Sequence, residues 1–258
     1  MSELIKMRVE NQLGHIVLNR PDKLNSLSSE LIEAVKTALK EMDQNREVKA
    51  IILSAEGRSF CAGGDIDTMR NLEHVSEIAK WIELASSLSK ALIESDKYVI
   101  SAVHGFAAGA GFSVALASDF IIADKEAKFA LSFTNIGLIP DLGLIKSLSE
   151  RVPLAIAKEW ISSGKVITAE EAYSKGIVNR IAEGNVVEEA IKFADFIIKG
   201  PQVSNKYVKY LLNHSKDLHL EAAFMQENII QALLLQTQDH KEGISAFFEK
   251  RVPDFKGL

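Results

Sequence analysis

The sequence predicts an α/β fold with a mainly helical C-terminal part. Three observations carry that prediction. Short runs that are apolar at nearly every position alternate with segments of helical periodicity. Two of those runs empty into loops of small residues. Beyond Pro140 the pattern becomes mainly helical. A strand apolar at every position has both faces covered, as in a sheet flanked by helices.

Taken in order, the chain opens with a hairpin. A strand runs to Glu10, a turn covers Asn11 to Gly14, and a second strand covers His15 to Asn19. In "RPDKLNSLSSE", Pro21 fixes φ and Ser28 is placed to cap a helix. Leu31, Val35, Ala38, Leu39 and Met42 then recur at helical spacing. Ala50 to Ser54 reads as a buried strand leading into "EGRSFCAGGD", and the helix over Val75–Glu94 carries Ile78, Trp81, Ile82, Ala85, Leu88 and Leu92 on one side. "YVISAV" is a strand, "GAGFSVALAS" a short helix and "FIIAD" a strand. Thr168 to Glu171 forms a capping box for a helix that stops at Gly176, ahead of a strand in "GIVNRIA". Gly200-Pro201 is a break, and helices with a wide apolar surface follow to about Arg251.

Composition removes several function classes. A net charge of −5 argues against a general nucleic-acid binder, which needs concentrated Lys and Arg. The single cysteine, Cys61, excludes an internal disulfide and a cysteine-based zinc site. No apolar run reaches membrane-spanning length and the N-terminus has no signal-like apolar region, so a cytoplasmic protein without membrane insertion is expected.

Two loops share one form: a buried strand, then small residues, then a helix. The first has Ala62-Gly63-Gly64 before a helix that Asp65 can cap; the second has Gly109-Ala110-Gly111. Unpaired N–H groups at a helix start attract negative charge, and small residues let a ligand touch them. Two such donors aimed at one oxygen form an oxyanion hole, whereas close helix–strand packing explains the same composition without any ligand. A dinucleotide-binding reading fits poorly: Val114 stands where a third small residue belongs, and the helix before Asp119 is short for a crossover.

The stretches "NRPDKLNSLSSEL", "GRSFCAGGDID", "HGFAAGAGFSVALASDFIIAD", "FALSFTNIGLIPDLG" and "EGISAFFEKRVPDF" resemble, in order and spacing, the crotonase, or enoyl-CoA hydratase/isomerase, family. The resemblance spans nearly the whole chain. It implies a spiral of repeated ββα units over residues 1–200, holding the acyl-CoA and catalytic site. It also implies a C-terminal helical trimerisation region over 201–258, in a homotrimer or a dimer of trimers. Substrates would be acyl-CoA thioesters. Coenzyme A is then part of the substrate, with no separate cofactor and no metal. By the family pattern, the oxyanion donors are the N–H groups of Gly64 and Ala110.

The reaction depends on the acid or base over that hole. Hydratases of the family carry two glutamates that activate water; the matching positions here are Ser113 and Phe133. A serine lacks the basicity to deprotonate water and a phenylalanine dries the place it would occupy. Asp141, in "IGLIPDLGLI", remains, flanked by Leu138, Ile139, Leu142 and Leu144. Aspartate after this proline resembles the base of the isomerase-type members, and desolvation would raise its pKa. The alternative is a helix cap. The expected activity is therefore an enoyl-CoA isomerase that shifts a C=C bond through an enolate. One alternative is an enoyl-CoA hydratase-type lyase recruiting Glu77 or Glu83; another is a non-catalytic acyl-CoA-binding or assembly subunit. The resemblance also implies CoA contacts at Lys23, Leu24, Ala62, Asp65 and Ile66, with Phe247 and Lys250 meeting the CoA of a neighbouring subunit. Cys61 reads as a small buried residue, His104 as a turn or core histidine, and Asp119 as a backbone hydrogen-bonding group.

Overall fold

The computed structural model describes residues 3–258. β1 (Ile5–Glu10) and β2 (Leu13–Leu18) form the opening hairpin, followed by α1 (Ser29–Gln44), β3 (Ala50–Ala55), α2 (Ile66–Arg70) and α3 (Val75–Glu94). Next come β4 (Tyr98–Val103), β5 (Phe106–Ala108), α4 (Ala110–Ala117), β6 (Phe120–Asp124) and β7 (Lys128–Ala130). The remainder comprises α5 (Leu144–Arg151), α6 (Leu154–Ser163), β8 (Val166–Thr168), α7 (Ala169–Ser174), β9 (Arg180–Ala182), α8 (Val186–Phe193), α9 (Asp195–Ile198), α10 (Gln202–His214), α11 (Leu220–Leu234) and α12 (Gln238–Glu249).

The strands make two sheets. One has the order β1-β2-β3-β4-β6-β9, parallel except for the β1–β2 hairpin; the other has the order β5-β7-β8. The chain repeatedly lays a strand in the first sheet, a strand in the second, and then a helix: β4-β5-α4, then β6-β7-α5. The first turn of this spiral uses β3 and then Cys61, which bridges Ala107 of β5 in parallel. This is the α/β spiral of ββα units expected from the sequence.

Both faces of the first sheet are covered, and the strand alternation shows how. Ile51, Leu53, Val99, Val103, Ile121 and Ala123 belong to the main core with α1, α3 and α4. Their neighbours Ala50, Ile52, Ile100, Ala102 and Ile122 pack with Val186, Ala190 and Ile197 of α8 and α9. Two covered faces explain strands without polar alternation. Ser28 caps α1 by accepting from the Leu31 N–H, and Thr168 caps α7 by accepting from the Glu171 N–H.

Two boundaries differ from the sequence reading. β2 begins at Leu13, because Asn11 and Gln12 alone make the turn, with φ of 50° and 66°; two positive-φ residues match the twist of a hairpin. The strand expected over "GIVNRIA" covers only Arg180–Ala182, since the Ile177 and Val178 N–H groups both donate to the Ala172 carbonyl at the end of α7.

Candidate active site

The register between the first loop and β5 brings the two small-residue loops together. The Cys61 N–H donates to the Phe106 carbonyl at 3.0 Å, and the Ala108 N–H donates to the Cys61 carbonyl at 2.9 Å. With Cys61 opposite Ala107, Gly64 and Ala110 each lie three residues beyond the bridge. The Gly64 N–H and the Ala110 N–H donate to no protein acceptor among the described residues. Nearby amides are engaged elsewhere: Gly109 donates to Ala130, Asp65 to Leu27 and Ala62 to Leu24. Ala110 is the first residue of α4, where an amide has no partner within the helix. Gly109, just before it, has φ 51° and ψ −123°, a conformation open to glycine and costly for residues with a Cβ.

Gly64 and Ala110 line one cavity of about 440 Å³, within the range of small-molecule sites. Ala62, Ile66, Trp81, Phe133 and Asp141 line it too, and Asp141 is its single ionisable lining residue. The loop after Pro140 delivers this carboxyl. Leu142 and Gly143 take positive φ, and the Leu144 N–H donates to the Asp141 carbonyl at 3.0 Å. The side chain does not cap α5; it is the main chain that closes the turn. The Asp141 Oδ1 atom is buried without a hydrogen-bond partner. Burial pushes this carboxyl up to about 6, with a backbone hydrogen bond acting weakly the other way.

The positions of the two hydratase glutamates are instructive. Ser113 is buried, does not line the cavity, and donates its hydroxyl to the Gly109 carbonyl at 3.4 Å. Phe133 does line it: its Cζ atom is 3.8 Å from the point where a Gly109 Cβ would stand. Glu77 and Glu83 are exposed and line no part of it.

Other candidates fall on either side of this boundary. Ala62 and Ile66 line the cavity, and Leu24 adjoins through its carbonyl, which accepts the Ala62 N–H at 3.0 Å. Lys23 is exposed and pairs with Asp67 at 2.8 Å. The Asp65 carboxylate accepts from the Thr68 N–H and from Arg20, so it is engaged within the protein. Phe247 and Lys250 do not line the cavity; Phe247 lies on a separate groove of about 560 Å³ among the C-terminal helices. Burial pushes the Cys61 thiol up to about 12, so it is inert as a nucleophile at neutral pH. Asp119 accepts from the Val99 N–H and from Lys209, a structural role. His104 Nε2 meets the Gly57 carbonyl. The sequence reading did not single out the wall residues Leu27, Ser132 and Asn135, although they lie in the quoted stretches, nor Met69 and Leu72, which lie outside them.

A cavity lined by two residues with free amides, apolar side chains and one partly desolvated carboxyl has the groups needed to stabilise an oxyanion and move a proton. Comparison with known proteins agrees with that class. The family model described as enoyl-CoA hydratase/isomerase matches residues 8–258. The chain is 31% identical to the 1,2-epoxyphenylacetyl-CoA isomerase of Escherichia coli (strain K12), covering 100% of both proteins. It is also 31% identical to the 2,3-dehydroadipyl-CoA hydratase of the same strain, again over 100% of both. A crystal structure of an enoyl-CoA hydratase from Polaromonas sp. JS666 superimposes with a TM-score of 0.93 at 33% identity, covering 97% of this chain and 99% of that one. The chain belongs to the enoyl-CoA hydratase/isomerase family, within the crotonase superfamily. It is an acyl-CoA-processing enzyme by family.

Proposed function

We propose that this enzyme shifts a carbon–carbon double bond in an enoyl-CoA thioester. The Gly64 and Ala110 N–H groups hold the thioester oxygen while Asp141 shuttles the proton. In its ionised form Asp141 takes a proton from the α carbon. The electron pair moves into a dienolate whose oxygen charge rests on the two amides. The Asp141 carboxylic acid then returns the proton to the γ carbon, so no water is consumed. The observation that carries this reading is a carboxyl whose Oδ1 is buried without a partner, in an otherwise non-ionisable cavity. A base raised to about 6 both accepts and releases a proton near neutral pH. Against hydration stand Phe133 on the wall and the exposure of Glu77 and Glu83.

The CoA moiety would run along Lys23, Leu24, Ala62 and Ile66, with Asp65 fixing the turn between them. The chain divides at Gly200-Pro201 into core and C-terminal helices. On the latter, Phe224, Ile229, Phe247 and Phe248 are 55%, 61%, 78% and 78% exposed, an apolar surface suited to covering by further copies in a trimer or a dimer of trimers. There Phe247 and Lys250 would meet a neighbour's CoA.

Deuterium exchange tests the reaction. In deuterated buffer a 3-enoyl-CoA takes up label at the α or γ carbon, and Asp141→Asn loses that uptake while still binding the ester. Uptake retained in the variant removes Asp141 from the mechanism. Hydration without isomerisation overturns the reading.

A further inference from the structure

Ser132 carries the one side-chain hydroxyl on the cavity wall. It is half-buried, and its Oγ atom makes no hydrogen bond among the described residues, yet that atom is not among the buried unpartnered ones. The hydroxyl is therefore open to a ligand. The other uncharged polar side chains of the wall are not: Trp81 Nε1 is buried, and Asn135 lays its amide against Gly164 at the end of α6. Gly109 places the hydroxyl relative to the second oxyanion donor. With ψ at −123°, the direction of a Gly109 Cβ nearly eclipses the Ala110 nitrogen. In a trans peptide the N–H lies on the side of the preceding Cα, so a Cβ there would crowd any oxygen accepting from Ala110. Outside the adjoining residues, the atoms nearest that empty point are Ser132 Oγ at 3.7 Å, Phe133 Cζ at 3.8 Å and Gly63 Cα at 4.0 Å. Gly63 leads directly into the Gly64 N–H, so both amide donors adjoin the point. The Ser132 hydroxyl borders the same space from a third side, and the Phe133 ring keeps its surroundings apolar.

We propose that the Ser132 hydroxyl is a third oxyanion donor, engaged as the thioester becomes an enolate. This inference rests on the isomerase reading above and adds a catalytic residue to its site. A carbonyl oxygen has two lone pairs, which the Gly64 and Ala110 N–H groups satisfy. Removal of the α proton gives that oxygen a negative charge and a third lone pair. A hydroxyl can turn its proton toward that pair, and a hydrogen bond to a charged oxygen is the stronger kind. An interaction gained only as the charge develops raises kcat and leaves substrate binding unchanged. No bond to Ser132 is made or broken. Its proton stays on Oγ, and Asp141 remains the group that takes and returns the substrate proton.

Isomerisation of 3-hexenoyl-CoA by wild type and Ser132→Ala tests this. Loss of one hydrogen bond to a charged oxygen is expected to lower kcat roughly 10- to 100-fold. KM is expected to change less than about twofold, because the ground state does not use the bond. Two measurements report that the rest of the site is intact in the variant. Its rate still breaks near pH 6, where Asp141 titrates. The carbonyl band of bound hexanoyl-CoA, labelled with ¹³C at the thioester carbon, stays at its wild-type frequency. An unchanged kcat, a KM that rises as kcat falls, a lost pH break or a displaced band would each overturn the proposal and leave the isomerase reading standing. A wild type that binds 3-hexenoyl-CoA but neither isomerises it nor exchanges its α protons would overturn both.

Discussion

Replacing Asp141 by asparagine is expected to stabilise the protein while abolishing its proton transfer. The carboxyl is held at about 6 by burial, against an ordinary 3.8. Between those values the unfolded chain loses the proton before the folded one does, so the native state binds more protons and its stability falls as pH rises. The full shift corresponds to about 3 kcal/mol at 1.36 kcal/mol per unit. Asp141 is only partly buried, and solvent screening reduces the effect to about 1.5 kcal/mol. In a chain of this size that is a rise of roughly 3–6 °C in Tm. The assay is thermal unfolding of wild type and D141N from pH 4 to pH 8 at equal protein concentration. Asparagine does not titrate, so the gap is small at pH 4, opens toward pH 6 and is constant above. A gap independent of pH, or a variant less stable than wild type at pH 7, refutes the argument that Asp141 is a destabilised, desolvated acid.

Three further outcomes follow from the same contacts. The rate of α-proton exchange is expected to fall about tenfold per unit below pH 6, as Asp141 becomes protonated, and to level off above it; a pH–rate profile flat down to pH 4.5 contradicts this. Gly111→Ala places a Cβ against the Cys61 carbonyl, a backbone contact that cannot yield, and is expected to cost at least about 2 kcal/mol by urea unfolding. Lys209→Met strands Asp119, its partner at 2.8 Å with side-chain exposures of 2% and 9%. The expected loss is about 3 kcal/mol, with exchange activity retained by the folded fraction; loss of activity without loss of stability would tie the pair to the site instead.

Much of the fold was legible because local signals agreed with tertiary placement. The apolar stripe of Val75–Glu94 fixed α3 at both ends, and Ser28 and Thr168 announced their helices through their caps. The two small-residue loops were legible for a backbone reason: free amides must be approachable. Elsewhere the deciding contact was distant in sequence. Ile177 and Val178 look like strand residues, yet their amides close the end of α7. Asp141 satisfies a cap pattern, but its main chain does that work and leaves the carboxyl free for the cavity. The walls from Met69 and Leu72 were hidden, since nothing local marks which apolar residues face a ligand.

The central claim is that two main-chain amides in separate parts of the fold converge on a single thioester oxygen. Isotope-edited infrared spectroscopy of bound hexanoyl-CoA, labelled with ¹³C at the thioester carbon, reads that contact directly. The account predicts a carbonyl stretch at lower frequency than for the same ester in water, because two fixed donors in a dry site polarise the bond more than solvent does. A band at or above the frequency in water would mean that the oxygen sits among apolar groups, and that Gly64 and Ala110 do not form the hole.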